Sequence, residues 1–352
     1  MVEDFTGILN CPVPIMNHKT VQLGHGSGGK MTHDLIERFF LPRFTNDLLA
    51  ELGDQAQIRL NGGRIAFSTD SFVVDPLFFP GGNIGDLAIN GTVNDLAVGG
   101  AVPKYLSVGF ILEEGFSLDE LHQILLSMEV AAKKAGVQVV TGDTKVVNKG
   151  SVDKLFINTT GIGLLPEGID LSPKKIQPGD RILVSGFIGD HGITILASRE
   201  GLSLETSVET DSAPLNGLVQ TILEASPRDV RVMRDPTRGG VATTLNEFAW
   251  SAKKRIRLDS GSIPVRDEIR IACEILALDP LYVANEGRLL AVVAPDAAEK
   301  IVEAMRAHEY GESAAIIGEV VEGDDGRVTA LTGLGAETII DMLPGEQLPR
   351  IC

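Results

Sequence analysis

Three acidic residues occupy places where an acid is costly unless something positive meets it. Asp70 lies in the run RIAFSTDS, Asp143 in TGDTKVV, and Asp95 in VNDLAVGG among Val93, Leu96, Ala97 and Val98. A carboxylate in apolar surroundings needs a cation or a hydrogen-bond donor, and Mg2+ bridging phosphate oxygens is the usual oxygen-seeking partner. Asp70, Asp95 and Asp143 are therefore candidate metal ligands. Each alone reads better as a cap or a surface charge; their recurrence within one domain reverses that and favours the metal. Asn94, Thr141 and Gly142 stand beside them in the same motifs and join the candidate nucleotide contacts.

Two glycine-rich segments suggest anion binding. In GHGSGGK, Gly28 and Gly29 allow backbone N–H groups to turn toward an anion, with Lys30 available for a phosphate oxygen. The spacing is not that of a Walker loop, and a plain flexible loop is the competing reading. In RDPTRGG, the N–H groups of Gly239 and Gly240 at a helix start could receive phosphate together with Arg238, and Asp235 precedes them; the bland alternative is a turn with a threonine cap. Lys145, two residues after Asp143, is a salt-bridge partner or a group acting on substrate. Glu286, in NEGRLLAVV, is a base or a surface acid. Cys352, the last residue given, follows two prolines in an aperiodic segment; about ten extended residues span on the order of 30 Å, which suits a thiol carrying a group between sites.

The elements that must position these residues follow from hydrophobic periodicity. Helical spacing runs through IGDLAINGTVNDLAVGG and through SLDELHQILLSMEVAAKKAG, the latter with Ser117 as N-cap and Gly136 as stop. The runs RIAFSTDS, YLSVGFILEE, VQVVTGDTKVV and KLFINTTGIGLL read as strands. After a Pro- and Gly-rich linker near Leu165 to Asp180, the second half alternates again: strand RILVSGFIG, helices in HGITILASRE, LNGLVQTILEA and GVATTLNEFAWSAKKR, strand RLLAVVA, and helix DAAEKIVEAMRAHE. The expected fold class is α+β: a leader over residues 1–50 with the glycine-rich loop, one αβ domain over 51–165, a second over 175–330, and a mobile tail over 335–352.

With 352 residues, 43% of them hydrophobic, the chain can bury two cores. No apolar run approaches the roughly 20 residues needed to cross a bilayer, and the start lacks the order of a signal peptide, so a cytoplasmic protein without membrane partners is expected. A formal net charge of −17 argues against a nucleic-acid partner. Cys11, Cys273 and Cys352 are too far apart in sequence for a CxxC site, and their odd number argues against a complete disulfide framework.

Taken together, GHGSGGK, TDSFVVDPLFFPGG, NDLAVGGAVPKYLSVGFILEEG, TGDTKVV, DKLFIN, GDHG, DPTRGG, NEG and PRIC resemble the HypE family of hydrogenase maturation factors almost end to end. That family is similar to the aminoimidazole ribonucleotide synthetase (PurM-like) superfamily. The resemblance implies two αβ domains of the PurM-like ATP-binding type, the first pairing in a homodimer, and a flexible C-terminal tail. It implies that the carbamoyltransferase HypF loads a carbamoyl group onto Cys352, that ATP with Mg2+ activates its oxygen, and that dehydration leaves a thiocyanate whose cyanide passes to iron on the HypC–HypD complex. By the same resemblance Glu286 is the base and Lys145 orients the thiocarbamate or the phosphoryl group. Asp70, Asp95 and Asp143 would hold Mg2+, with Asp75 as a further candidate. A small-molecule kinase or ATP-dependent ligase of the same superfamily, similar to selenophosphate synthetase, would use the same aspartates without needing Cys352.

Overall fold

The computed structural model describes residues 23–26, 29–43, 47–60, 62–199, 207–333, 335–343, 345 and 350–352. In chain order the elements are α1 (Lys30–Leu35), α2 (Asp47–Ala50), β1 (Ala56–Leu60), β2 (Gly63–Phe72), β3 (Phe78–Phe79), β4 (Gly82–Asn83), α3 (Ile84–Val98), β5 (Val102–Glu113), α4 (Leu118–Ala135), β6 (Gln138–Val147) and β7 (Leu155–Leu165). There follow β8 (Arg181–Val184), α5 (Asp190–Ala197), α6 (Asn216–Ala225), β9 (Val230–Arg234), α7 (Gly240–Ala252), β10 (Arg255–Asp259), α8 (Asp267–Leu276), β11 (Leu290–Val293), α9 (Ala298–Arg306), β12 (Ala315–Val321), β13 (Val328–Leu331) and β14 (Glu337–Ile340).

The first sheet has the order β1-β2-β7-β5-β6, with only the β5–β6 pair parallel. Strand side chains alternate between faces: Leu155, Ile157 and Thr159 of β7 are buried beneath α3 and α4, while Asn158, Ile162 and Leu164 face outward. The second sheet has the order β14-β13-β10-β12-β8-β11-β9. Leu183 of β8 packs into a core with α6 and α9, whereas its neighbours Ile182 and Val184 pack with Leu245 and Phe248 of α7, so this sheet is covered on both faces.

Helix α3 is the hinge pin of the arrangement. A reciprocal capping box starts it: Asn83 Oδ1 accepts from the Gly85 N–H at 2.8 Å, and the Asn83 N–H donates to Asp86 Oδ1 at 2.6 Å. It is buried nearly all round, because one side lies on the first sheet while Ala97 and Val98 enter a core shared with α6 and β11 of the second domain. Such a helix must be apolar on every side, which is why its apolar residues are not confined to one stripe. Helix α4, by contrast, is amphipathic and ends as the sequence predicts, with Ser117 Oγ accepting from the Glu120 N–H and Gly136 in the left-handed conformation at φ 69°.

The second sheet reaches past its expected end. Residues 337–340, read above as tail, form edge strand β14, with Ile340 opposite Val328. Only Ile340 of that strand is buried, so the segment carries no alternation for the eye to find. Beyond it, residues 350–352 are docked against the first domain: the Asp75 N–H donates to the Arg350 carbonyl at 3.2 Å and the Val73 N–H to Cys352 O at 3.1 Å.

Close approach of α3 to the sheet depends on Gly161 of β7, where a Cβ would lie 2.7 Å from Leu96 Cδ1 and 2.8 Å from Thr92 Cγ2. Gly161→Val should therefore overpack this contact and destabilise the protein by about 1–3 kcal/mol, read as a lowered urea midpoint with an unchanged slope.

Candidate functional site

The site gathers where β2, the end of α3, the segment after β9, and the segment before β11 meet. Ser68 of β2 donates its hydroxyl to Asp95 Oδ2 and also lies 2.7 Å from the Asp54 carbonyl. Burial raises the Asp95 carboxyl well above the usual range, and the neighbouring charges of Asp235, Asp54 and Asp70 push it further in the same direction. Asp235 is pushed up to about 7, first by burial and then by Asp54. Asp70 is raised by burial despite Arg238, whose Nη2 lies 3.7 Å from its Oδ1. Four carboxylates thus crowd one region, and the charges of their neighbours disfavour ionisation of Asp95 and Asp235.

Two arginines answer them. Arg234 Nε donates to Asp54 Oδ2 at 2.8 Å and its Nη1 pairs with Glu247 on α7. Arg238 stands over the cluster, and the largest influence raising its pKa is the negative charge of Cys352, with Asp70, Glu286 and Asp95 adding to it. The tail thus brings Cys352, which is buried, to the acidic cluster.

Glu286 is buried, and its Oε1 has no hydrogen-bond partner among the described residues. Burial raises its pKa well above the ordinary value, reinforced by Asp235, Asp70 and Asp211 and opposed by Arg238. Its backbone is fixed from two sides, with the N–H donating to Asp211 Oδ1 and the carbonyl accepting from Asn94 Nδ2, each at 3.0 Å. This corrects the reading of Asn94 as a nucleotide contact. Its side chain also donates to the Ala213 carbonyl and accepts from the Leu215 N–H, so all three bonds go to backbone of the second domain. It is a positioning residue that carries the α3 frame to Glu286.

The remaining candidates divide. Gly239, at φ 76°, and Gly240, at φ 61°, do open α7, and a Cβ on Gly239 would lie 2.1 Å from Thr243 Oγ1. Among the described residues, the helix N–H groups there have no side-chain cap and the buried Thr243 hydroxyl has no hydrogen-bond partner. Asp143 and Lys145 are not part of the cluster within one chain. They lie exposed on edge strand β6, ion-paired to each other, and Lys145 holds the Asp143 carboxyl below its usual range. Asp70 pairs with Thr159, Thr159 with Val108, and Val108 with Gly142; three strand spacings of about 4.8 Å put roughly 14 Å between Asp70 and the Asp143 strand. The three-aspartate metal set and the catalytic placing of Lys145 are thus not assembled in a single chain, because the β-prone pattern of TGDTKVV cannot reveal which strand lies at the edge. Thr141 and Gly142 share this exposed strand, and Gly142 has a packing role: a Cβ there would lie 2.4 Å from the Val108 carbonyl oxygen.

Lys30 begins α1 and pairs with Asp341 at 2.9 Å, just after β14, with Gly29 as the N-cap residue; Gly28 lies outside the described residues. The sequence reading missed Asp54, Asp211 and His191. Asp54 follows a glycine in a polar turn and carries no motif, whereas His191 sits in GDHG, a signal that was quoted but assigned no chemistry.

The sign of the carboxylate shifts fixes a pH dependence. An acid whose folded pKa lies above its unfolded value near 4 binds more protons when folded, so its contribution to stability is fully present below that value and is lost as pH rises through the folded pKa. For Asp235 the loss runs from about 4 to about 7, and Asp95 and Glu286, raised in the same direction, add to it. The protein without nucleotide should melt higher at pH 6.5 than at pH 8.0 in calorimetry, and the double variant Asp95→Asn, Asp235→Asn should remove most of that difference.

With this geometry in place, comparison with known proteins is informative. Residues 52–165 match the family described as AIR synthase related protein, N-terminal domain, and residues 177–330 match its C-terminal domain. The carbamoyl dehydratase HypE of Azotobacter vinelandii is 52% identical over 337 residues, covering 96% of this chain and 98% of that protein. A crystal structure of a HypE–HypF complex superposes with a TM-score of 0.83 at 48% identity, over 88% of this chain and 99% of that one. A crystal structure of HypE in complex with ATP superposes with a TM-score of 0.79 at 48% identity, over 95% of this chain and all of that one (100%). A near-full-length match at this identity, on a fold that brings a cysteine at the chain's end into a cluster of buried acids, shows that the chain belongs to the HypE family of hydrogenase maturation proteins, the carbamoyl dehydratases.

Proposed function

We propose that the protein uses ATP to dehydrate an S-carbamoyl group on Cys352 to a thiocyanate, supplying the cyanide ligand of the iron in NiFe-hydrogenase. The observation that carries this reading is the position of Cys352, buried beside Arg238 in the same cluster as Asp70, Asp95, Asp235 and Glu286. A kinase or ligase acting on a free substrate has no use for that placement.

The chemistry follows from the bonds to be broken. An amide oxygen is a poor leaving group and a phosphate a good one, so transfer of the ATP γ-phosphoryl group to the carbamoyl oxygen lowers the barrier to its loss. The nitrogen gives up one proton as the O-phosphorylated thioimidate forms and the second as phosphate departs, leaving S–C≡N. Glu286, with its unpartnered Oε1, is the nearby base for those protons. Its raised pKa makes it a stronger acceptor once it is ionised, and Arg238 opposes that rise. Arg238 and the uncapped start of α7 suit the phosphates, consistent with ATP in a solved relative.

The acids fit a hard cation, since they offer oxygen donors that repel one another until a positive charge arrives. Among the described residues no three His, Cys, Asp or Glu side chains form a metal-holding group, which accords with Mg2+ taking one or two carboxylates and otherwise phosphate oxygens and water. Asp95 and Asp70 would hold it, and it would neutralise charge on the phosphates. A homodimer accords with the outer face of the first sheet, where Phe67, Tyr105, Ile111, Ile162 and Leu164 are exposed; a second copy is the source that could bring an Asp143 and a Lys145 to this site. HypF is the loading partner, consistent with the relative solved in complex with it, and the HypC–HypD complex is the acceptor that the family's chemistry calls for. A cytoplasmic setting belongs to this reading; among the described residues no helix is long and apolar enough to cross a membrane.

Incubation with HypF, carbamoyl phosphate and ATP, followed by intact-mass analysis, should show the carbamoylated chain losing about 18 mass units, one water. Cys352→Ala should never acquire the carbamoyl group. Glu286→Gln should acquire it and lose water about 10²- to 10⁴-fold more slowly. Full dehydration by the Cys352→Ala chain acting on a free carbamoyl compound would overturn the reading in favour of a small-molecule enzyme.

A further inference from the structure

The docked end of the chain is held by more than backbone pairing. Arg199 Nη2 donates to the Arg350 carbonyl at 3.0 Å while its Nε donates to the Asp75 carbonyl, so one guanidinium ties the tail to the segment after β2. The Ile351 carbonyl lies 2.8 Å from Nε2 of His191 on α5. A peptide carbonyl can only accept, so Nε2 carries the proton and Nδ1 must accept. Its donor is the Thr210 hydroxyl at 2.7 Å, which in turn accepts from the Ser212 N–H at 3.1 Å. The imidazole is fully buried with Phe79 edge-on against it, and burial lowers its pKa, keeping it in this neutral form.

The segment that supplies Thr210 also supplies Asp211, whose carboxylate holds the Glu286 N–H. Adjacent residues therefore face two ways, one toward the docked tail through His191 and the other toward the base.

We propose that His191, fixed in its Nε2–H tautomer by Thr210, is a positioning residue that latches the carrier tail by reading the Ile351 carbonyl, and so sets the fraction of molecules with Cys352 in the site. This inference deepens the proposed function and rests on Cys352 being the carried thiol. It is independent of side-chain identity at residue 351, since only a main-chain oxygen is read.

The test is the rate at which iodoacetamide alkylates Cys352 in the folded full-length protein, with each modified cysteine located by peptide mass spectrometry. Labelling requires the tail to leave its buried position, so the rate reports the undocked fraction. His191→Phe keeps the ring and removes the donor; it should speed Cys352 labelling about tenfold, equivalent to about 1.4 kcal/mol. His191→Gln, which restores an N–H donor at similar reach, should return the rate to within about threefold of the parent. Buried Cys273 is the internal control for an intact fold. Should Cys273 become reactive in His191→Phe, the milder Thr210→Val decides, with faster Cys352 labelling expected and an unchanged rate overturning the latch. Equal rates in parent and His191→Phe, or equally fast labelling in the Gln and Phe variants, would also overturn it. Parent protein that is carbamoylated but loses no water with ATP would instead overturn the functional reading, whatever the labelling rates.

Discussion

Crowding of like charge in a place water scarcely reaches is the constraint on which the rest of this structure turns. Burial raises the proton affinity of Asp70, Asp95 and Asp235, and the neighbouring acidic charges raise Asp95 and Asp235 further. A protein tolerates such an arrangement only where surrounding structure over-determines it, and it is stabilised by whatever positive charge the working state brings. Here Arg234 and Arg238 provide part of that charge permanently. On the proposed reading, the counter-ion of a bound nucleotide would supply the remainder.

Everything that holds the acids in place passes through α3. Its capping box sets where it starts, Gly161 sets how close it lies to the first sheet, and Asn94 carries its position into the second domain. Because Asn94 spends its amide on the Glu286 and Ala213 carbonyls, Glu286 is held in one frame with α3, which carries Asp95, although the two belong to different domains. Catalytic geometry needs this kind of support, since a reacting group misplaced by about 1 Å loses much of its advantage.

Much of this was legible in the residues and some was not. The two-domain organisation, the ends of α4 and the informative oddity of Asp95 all rest on local signals: period, cap and an acid in an apolar run. The edge position of β6 was hidden, because a strand's own residues do not say which neighbours it has; hence Asp143 and Lys145 were grouped with acids that lie across the sheet. Short strands such as β9, β10, β12, β13 and β14 escaped notice since four to seven residues give too few periods to recognise. Asn94 looked like a ligand contact because an amide next to a functional acid invites that reading, and only long-range contacts reveal that its hydrogen bonds are already taken. The resting place of Cys352 near Arg238, and the contacts from His191 and Arg199 that hold the tail, could not be read from a segment without periodicity.

Strand β14 has one further consequence. By pinning the chain at Ile340, it leaves roughly a dozen residues before Cys352, and a tether of that length confines its free end to an effective concentration in the millimolar range. Docking contacts therefore need to supply less here than they would to capture a separate peptide. On the proposed reading the thiol could then leave for a second protein and return, which makes the anchor as much a part of the delivery as the sulfur it restrains.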